Sequence, residues 1–261
     1  MKSAVFYGKH DIKVEEVEMP QLGNQDVLIK VMACGICGTD VHIYEGDKGA
    51  ANTTPPTILG HEFAGIVEAV GHEVKHVKVG DRVCVDPNQL CGTCYYCRSG
   101  IGHFCEDMIG IGTTRDGGFA QYCAVNESQV YEEGAMTEPV ACCLHGLDMC
   151  NITPASTVLV IGGGMIGLLM VQLAKLAGAH EIILSEPVAV KREMGLKMGA
   201  TLTVDPINDN IPALLADKGI HRINTVIECA GLPATIKQAI SLAGNKSVVM
   251  MFGLTKPDDE V

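Results

Sequence analysis

The sequence predicts an α/β protein in two parts, a mostly β first half and a parallel, doubly wound second half. Three observations carry this expectation. Residues up to about 150 read as short strands cut by turns, whereas from Ser156 apolar strands alternate with helical stretches, the pattern of parallel βαβ units. The chain has 261 residues, 47% hydrophobic and 19% charged, which is enough for about two cores and too apolar for disorder. Aromatic residues make up only 4% and Trp is absent, so Val, Ile, Leu, Met and Ala must fill the interior, which suits an α/β fold. Asn151 to Pro154 is the natural boundary, giving parts of 1–150 and 151–261.

In the first half the predicted strands include Val14 to Glu18, Val27 to Ala33, Phe63 to Val70 and Arg82 to Val85. In the second they are Val158 to Ile161, Ile182 to Ser185, Leu202 to Val204, Val226 to Cys229 and Ser247 to Phe252, with a helix from about Met165 to Leu176. Lys and Arg total 19 against 31 Asp and Glu, a formal charge of −12, which repels a phosphate backbone and an anionic membrane alike. The longest uncharged stretch, Asn151 to Ala174, contains Pro154 and four glycines and reads as a buried strand and helix, not a membrane span. With no apolar run of signal-peptide length at the start, the chain is expected in the cytoplasm, where twelve cysteines serve as metal ligands or buried thiols instead of disulfides.

Cys91, Cys94, Cys97 and Cys105 form C-x2-C-x2-C-x7-C in a segment rich in Gly, Thr and Ser. Four thiolates at this spacing can converge on one tetrahedral Zn²⁺. An iron–sulfur run would place its fourth Cys three residues on and before Pro, whereas seven residues intervene here and Glu106 follows. A closed four-thiolate site leaves no position for substrate, so its role is structural.

A second set lies upstream. Cys37, in Cys34-Gly35-Ile36-Cys37-Gly38-Thr39-Asp40-Val41-His42, and the later Gly60-His61-Glu62 supply a thiolate, an imidazole and a carboxylate, a three-ligand zinc site with a fourth position open to water or substrate. Each fragment alone is weak. Cys34 and Cys37 also have the spacing of a redox pair, although the thioredoxin-like βαβ context is lacking. His61 and Glu62 are neighbours and would face opposite ways on a regular strand, so either the chain bends there or Glu62 acts partly from behind the metal's own ligands. Glu138, before Pro139, reads equally as a helix-start carboxylate or as a further ligand. Cys84, Cys123, Cys142, Cys143, Cys150 and Cys229 lie among apolar neighbours and read as core thiols.

The stretch Val158 to Gly167 is an apolar strand running into G-x-G-x-x-G, with Gly162, Gly164 and Gly167 in the glycine positions and Met165 and Ile166 opening a helix. The glycines permit a tight turn and close backbone approach to a pyrophosphate, and the helix start supplies N–H donors. The next strand ends at Glu186, 19 residues after Gly167, where a carboxylate can accept from both ribose hydroxyls of NAD and would repel the 2′-phosphate of NADP. Lys191 and Arg192 follow closely, as contacts to the nucleotide, as NADP-serving cations or as solvated surface charges.

Taken together these residues resemble the zinc-dependent medium-chain dehydrogenases, especially the sorbitol, threonine and butanediol dehydrogenase branch. The likeness rests on the Cys37 segment, Gly60-His61-Glu62, Gly80-Asp81-Arg82-Val83, the four-cysteine loop, Asp116-Gly117-Gly118-Phe119-Ala120, Glu138-Pro139 and the glycine fingerprint, in family order. It implies a GroES-like catalytic domain over 1–150 and a Rossmann domain over 151–261 that lacks its last strand, with substrate in the cleft between them. It further implies two zinc ions per chain and NAD. Cys37, His61 and Glu62 would hold the catalytic zinc with Glu138 as a nearby carboxylate or ligand, and Thr39 and His42 would relay the proton of a secondary alcohol to water. Thr39 otherwise reads as a helix-cap hydroxyl and His42 as a partly exposed helix histidine. A homo-oligomer is expected from the family through the sixth strand, which the 261 residues do not reach. The rival expectations are a non-catalytic NAD- and zinc-binding protein or an inactive homologue.

Overall fold

The computed structural model describes all residues except 48–51, 133, 135, 257, 258 and 261. It divides into two compact units, Met1–Glu138 and Pro139–Val261. The second unit therefore begins within the first turn of the helix Thr137–Asp148, ahead of the Asn151 to Pro154 boundary read from the sequence.

The strands of the first unit are β1 (Lys2–Gly8), β2 (Asp11–Glu16), β3 (Asp26–Cys34), β4 (Thr57–Ile58), β5 (Phe63–Val70), β6 (Arg82–Val85), β7 (Asn88–Gln89), β8 (Ile109–Gly110), β9 (Tyr122–Asn126) and β10 (Val130–Tyr131). They form sheets of order β2-β1-β4, β10-β6-β5-β3-β9 and β7-β8. Val27, Ile29, Phe63, Val67, Val83, Val85 and Val125 point into one buried cluster, so the alternation along β3, β5 and β6 sets the inner face of the central sheet. Strand β1 has no clear sequence signal because Gly8 cuts its apolar run. It is defined by antiparallel pairing to β2 and β4 on its two edges, and the hairpin moves β2 toward the N-terminus of the expected Val14 to Glu18 segment. Helix α1 (Gly38–Glu45) comes between β3 and β4, and the short α2 (Tyr95–Arg98) lies within the four-cysteine loop.

In the second unit α3 (Thr137–Asp148) leads into β11 (Thr157–Ile161), α4 (Met165–Leu176), β12 (Glu181–Ser185), α5 (Ala189–Met198), β13 (Leu202–Val204), α6 (Ile211–Asp217), β14 (Thr225–Glu228), α7 (Pro233–Leu242) and β15 (Val248–Met251). The five strands are parallel, in the order β13-β12-β11-β14-β15. Alternate residues of β11 serve opposite cores. Val158 and Val160 pack with Met170, Val171 and Ala174 of α4, while Leu159 and Ile161 pack with Ile211 and Leu215 of α6 and Ala239 of α7. Both faces are thus covered, which is why these strands read as unbroken apolar runs. Burying each such side chain contributes about 1.5–3 kcal/mol, more than the fraction of a kcal/mol by which helix propensities of ordinary residues differ, so packing on the sheet decides which helical faces turn inward. The described residues of this sheet form five strands; Pro257, Asp258 and Val261 lie outside the described residues. No helix among the described residues is long and apolar enough to cross a membrane.

One thiol differs from expectation. Cys84, Cys123, Cys143 and Cys150 are buried, but Cys142 is exposed. Adjacent helical residues point about 100° apart, and with Cys143 turned into the core of the second unit Cys142 falls on the solvent side of the helix.

Candidate metal centres and nucleotide fingerprint

The first centre is assembled at the start of α1. Cys37 is its N-cap residue, and three positions on, Asp40 reaches back so that its Oδ2 accepts the Cys37 N–H at 2.8 Å. This is half of a capping box with Cys where Ser or Thr usually stands. The ligand atoms of Cys37, His61 and Glu62 all lie within 4.8 Å of one another. A sulfur, an imidazole nitrogen and a carboxylate oxygen are zinc donors, so the set fits the metal that the spacing implies. His61 and Glu62 are both buried.

The difficulty of two neighbouring ligands is resolved by a bend. His61 and Glu62 precede β5, and Gly60 has φ of +92°, a left-handed backbone that re-aims both side chains. The bend is held by main-chain contacts from the Asp116 to Ala120 segment. Asp116 Oδ1 accepts from Ile58 N at 2.9 Å, and Gly117, Gly118 and Phe119 donate to the carbonyls of Ile58, Gly60 and Leu59 at 2.8, 2.7 and 2.8 Å. A Cβ on Gly117 would stand 2.3 Å from the Gly60 oxygen, and one on Gly112 2.2 Å from it. On the other side Gly35 donates to the Glu62 carbonyl at 2.8 Å and, lacking a side chain, leaves room for the Glu62 carboxylate.

Asp40 is a candidate positioning residue that motif spacing alone does not single out. It is buried, with Oδ2 on the helix cap and Oδ1 3.7 Å from His61 Nδ1. Neither Oδ1 nor Nδ1 has a hydrogen-bond partner, so a small closing movement would join them. Burial raises the Asp40 pKa, opposed by the amides of Cys37 and Gly60 and by His61. For His61, burial pulls the pKa down, but the hydrogen bond to Cys37 and the charges of Cys37, Asp40 and Glu138 outweigh it and carry it up to about 9. The available signal in the sequence is the C-x-x-D spacing of a cap.

Thr39 and His42 lie three apart on α1 and so share a face. The Thr39 hydroxyl is 3.8 Å from Cys37 Sγ, and His42 Nδ1 is 3.1 Å from Asp47 Oδ2. Glu138 is half-buried in the first turn of α3, the helix-start position. It bears on His61 through its charge, while the close group of donor atoms comprises Cys37, His61 and Glu62.

In the second centre Cys91, Cys94, Cys97 and Cys105 bring their sulfurs within 4.8 Å of one another. Cys91 and Cys97 Sγ are 3.9 Å apart, close to the edge of about 3.8 Å that four Zn–S bonds of about 2.3 Å define in a tetrahedron. The amides of Cys94, Cys97 and Cys91 donate to the sulfurs of Cys91, Cys94 and Cys105 at 3.3, 3.5 and 3.4 Å. The Thr93 amide and hydroxyl and the Cys94 amide hold Cys91 down to about 6, whereas desolvation and neighbouring sulfurs push Cys97 up to about 12. Four sulfurs so placed ionise together only around a cation.

In the second unit Gly164 is the N-cap of α4, so Met165 and Ile166 form its first turn, and a Cβ on Gly167 would stand 1.8 Å from the Gly162 oxygen. The turn from β11 into α4 is therefore closed to any larger residue at Gly167. Glu186, just after β12, is buried; its Oε2 accepts from Gly163 N at 2.7 Å and its Oε1 from Val188 N at 2.9 Å. The carboxylate thus stands beside the glycine turn. Lys191 is exposed, and Arg192 is folded back onto the carbonyls of Glu186 and Pro187.

Comparison with known proteins agrees with this geometry. Residues 23–134 match the alcohol dehydrogenase GroES-like domain and residues 165–261 the zinc-binding dehydrogenase domain. The chain is 35% identical to the sorbitol dehydrogenase of Bacillus subtilis, over 99% of this chain and 76% of that one. It is 35% identical to an L-threonine 3-dehydrogenase of Caldanaerobacter subterraneus, over 98% of this chain and 76% of the relative. A candidate zinc-binding dehydrogenase from Sinorhizobium meliloti, solved with NADP, superposes with a TM-score of 0.93 at 42% identity, covering 100% of this chain and 78% of that one. The paired domains, the donor sets and the glycine turn place this chain in the zinc-dependent medium-chain alcohol dehydrogenase family.

Proposed function

We propose that the protein oxidises a secondary alcohol of the polyol, vicinal diol or L-threonine class, with NAD as hydride acceptor and two zinc ions per chain. The convergence of Cys37, His61 and Glu62 carries this reading. These three residues would hold the catalytic zinc, which supplies Lewis acidity that favours loss of the hydroxyl proton at neutral pH. The nicotinamide supplies the hydride acceptor. Asp40 sets the orientation of the His61 ring from behind. Glu138 adds negative charge near the cation. The Thr39 hydroxyl, beside Cys37 Sγ, accepts the proton of the substrate while passing its own to His42, whose ring Asp47 steadies. His42, half-buried, delivers it to water. Cys91, Cys94, Cys97 and Cys105 would hold the structural zinc.

Replacing Asp40 with Asn is expected to lower zinc affinity or turnover about 10- to 100-fold, the usual cost of losing a partner behind a metal ligand, and metal titration with steady-state kinetics checks it.

The nucleotide would lie on Gly162, Gly164 and Gly167 and the first residues of α4, Met165 and Ile166, with its adenosine ribose at Glu186 and Lys191 at the rim. NAD is favoured because Glu186 leaves a buried carboxylate at the ribose position. The Sinorhizobium relative was solved bound to NADP, so titration of both nucleotides decides the choice for this chain. Glu186→Ser is expected to weaken NAD binding by roughly one to two orders of magnitude, as charged hydrogen bonds of about 1.5–3 kcal/mol are lost, and calorimetric titration reads this without a known substrate. All twelve cysteines are free thiols, which fits the reducing cytoplasm. A homo-oligomer is part of this reading, by analogy with the family.

The direct test is NAD reduction with sorbitol, 2,3-butanediol and L-threonine, together with zinc content. Turnover of one of them with two zinc ions per chain is expected. Absence of turnover on all three, with a single zinc, would instead favour a binding protein.

A further inference from the structure

The end of β12 carries charged groups besides Glu186. The first turn of α5 carries Arg192, whose Nη1 donates to the main-chain oxygens of Glu186 and Pro187, each at 2.7 Å, and lies 3.2 Å from Asp205 Oδ2. Asp205 follows β13, the strand that runs parallel to β12 with Ser185 opposite Val204, and the Glu186 N–H donates to the Val204 oxygen at 3.1 Å. The Asp205 carboxylate therefore emerges beside the strand end where Glu186 stands. Its own position is fixed by neighbours. Oδ1 accepts from Ile207 N at 3.0 Å, Oδ2 from Asn208 Nδ2 at 3.1 Å, and its N–H donates to Asp209 Oδ2 at 2.7 Å. The Ile207 amide, the Asn208 side chain and Arg192 hold its carboxyl below the usual range, so it is ionised at neutral pH.

A 2′-phosphate is best received by a guanidinium, whose planar fork matches two phosphate oxygens. The strand end has such a group, but its charge is matched by Asp205 and its Nη1 is committed to two carbonyls. We propose that Asp205 is a specificity-determining residue for the nucleotide: it withholds Arg192 from a 2′-phosphate, and beside Glu186 it adds a second carboxylate at the end of β12. The proposal rests on the reading that the adenosine ribose lies at Glu186. It has a consequence that Glu186 alone does not. Removing Glu186 takes away one repulsive charge yet leaves Arg192 neutralised, so NADP gains little until Asp205 is removed as well.

The test is calorimetric titration of NAD and NADP into the wild type, Glu186→Ser, Asp205→Asn, Arg192→Gln, the double variant Glu186→Ser/Asp205→Asn, and that double variant carrying Arg192→Gln. Asn at 205 retains an acceptor for the Ile207 amide, and Asp205→Ser provides a second variant should the first melt early. The double variant is expected to bind NADP at least about tenfold more tightly than Glu186→Ser, the scale of one charged hydrogen bond, and Arg192→Gln should abolish that gain. Equal NADP affinity of the double and single variants overturns the proposal, as does a gain that survives Arg192→Gln. A wild type that prefers NADP and loses it on Arg192→Gln also overturns it, because Arg192 would then already be available. The NAD reading stands or falls separately, on the ratio of the two nucleotides for the wild type, whereas the role of Asp205 is read from the variants that remove Asp205 or Arg192.

Discussion

Cys37→Ser and His61→Ala proteins are expected to lose alcohol oxidation by more than about 100-fold while NAD affinity stays within about twofold. The size of the loss reflects that even partners behind a metal ligand are worth about 10- to 100-fold, and these substitutions remove ligands themselves. The selectivity arises because Cys37 and His61 belong to the first compact unit and the glycine turn to the second. Zinc content should fall by one ion per chain, and the four-thiolate ion should remain. Metal analysis, calorimetry with NAD and steady-state rates read the three outcomes independently. Unchanged turnover in either variant would remove Cys37 and His61 from the reaction.

Cys97→Ser is expected to act on the fold first. Structural zinc contributes apparent binding energies of about 10–16 kcal/mol in small zinc-binding peptides, comparable to the total stability of about 5–15 kcal/mol of a typical domain. If only about 5 kcal/mol is lost, a unit of this size should melt roughly 10–20 °C earlier. One zinc should be lost with it. Chelation of the wild type should reproduce the shift, and a variant that keeps its zinc and its melting temperature would show that the four sulfurs do not share an ion. The amide donors to Cys91, Cys94 and Cys105 belong to the same loop, so loss of one sulfur loosens the turns that hold the other three.

The legible parts of this structure are those in which chemistry is local in sequence. The four cysteines sit within one loop, and β11, the glycine turn and α4 are contiguous, so spacing alone positions them. The strands of the second unit are also legible, because burial on both faces writes unbroken apolar runs at Val158 to Ile161 and Ile182 to Ser185. The first unit is less so. Strand β1 owes its definition to β2 and to β4, some fifty residues away, and no local pattern announces such pairing. Asp40 is not legible because its role requires His61, twenty-one residues later, to be folded against it. Arg192 reads as an ambiguous surface charge for the same reason, since Asp205 reaches it only through the parallel pairing of β12 with β13.

The bend at Gly60 has a bearing on how this scaffold can be diversified. The chain around His61 and Glu62 is positioned by carbonyls and amides, with Gly112, Gly117 and Gly118 packed against the Gly60 region and Asp116 capping Ile58. Main-chain scaffolding tolerates no added Cβ at those glycines, yet it asks nothing of side chains elsewhere. A library that leaves these four glycines and Asp116 untouched can therefore randomise pocket-facing positions without displacing the donor atoms. In evolutionary terms the same separation lets a lineage drift from one alcohol to another by side-chain exchange while the metal-holding frame is inherited unchanged.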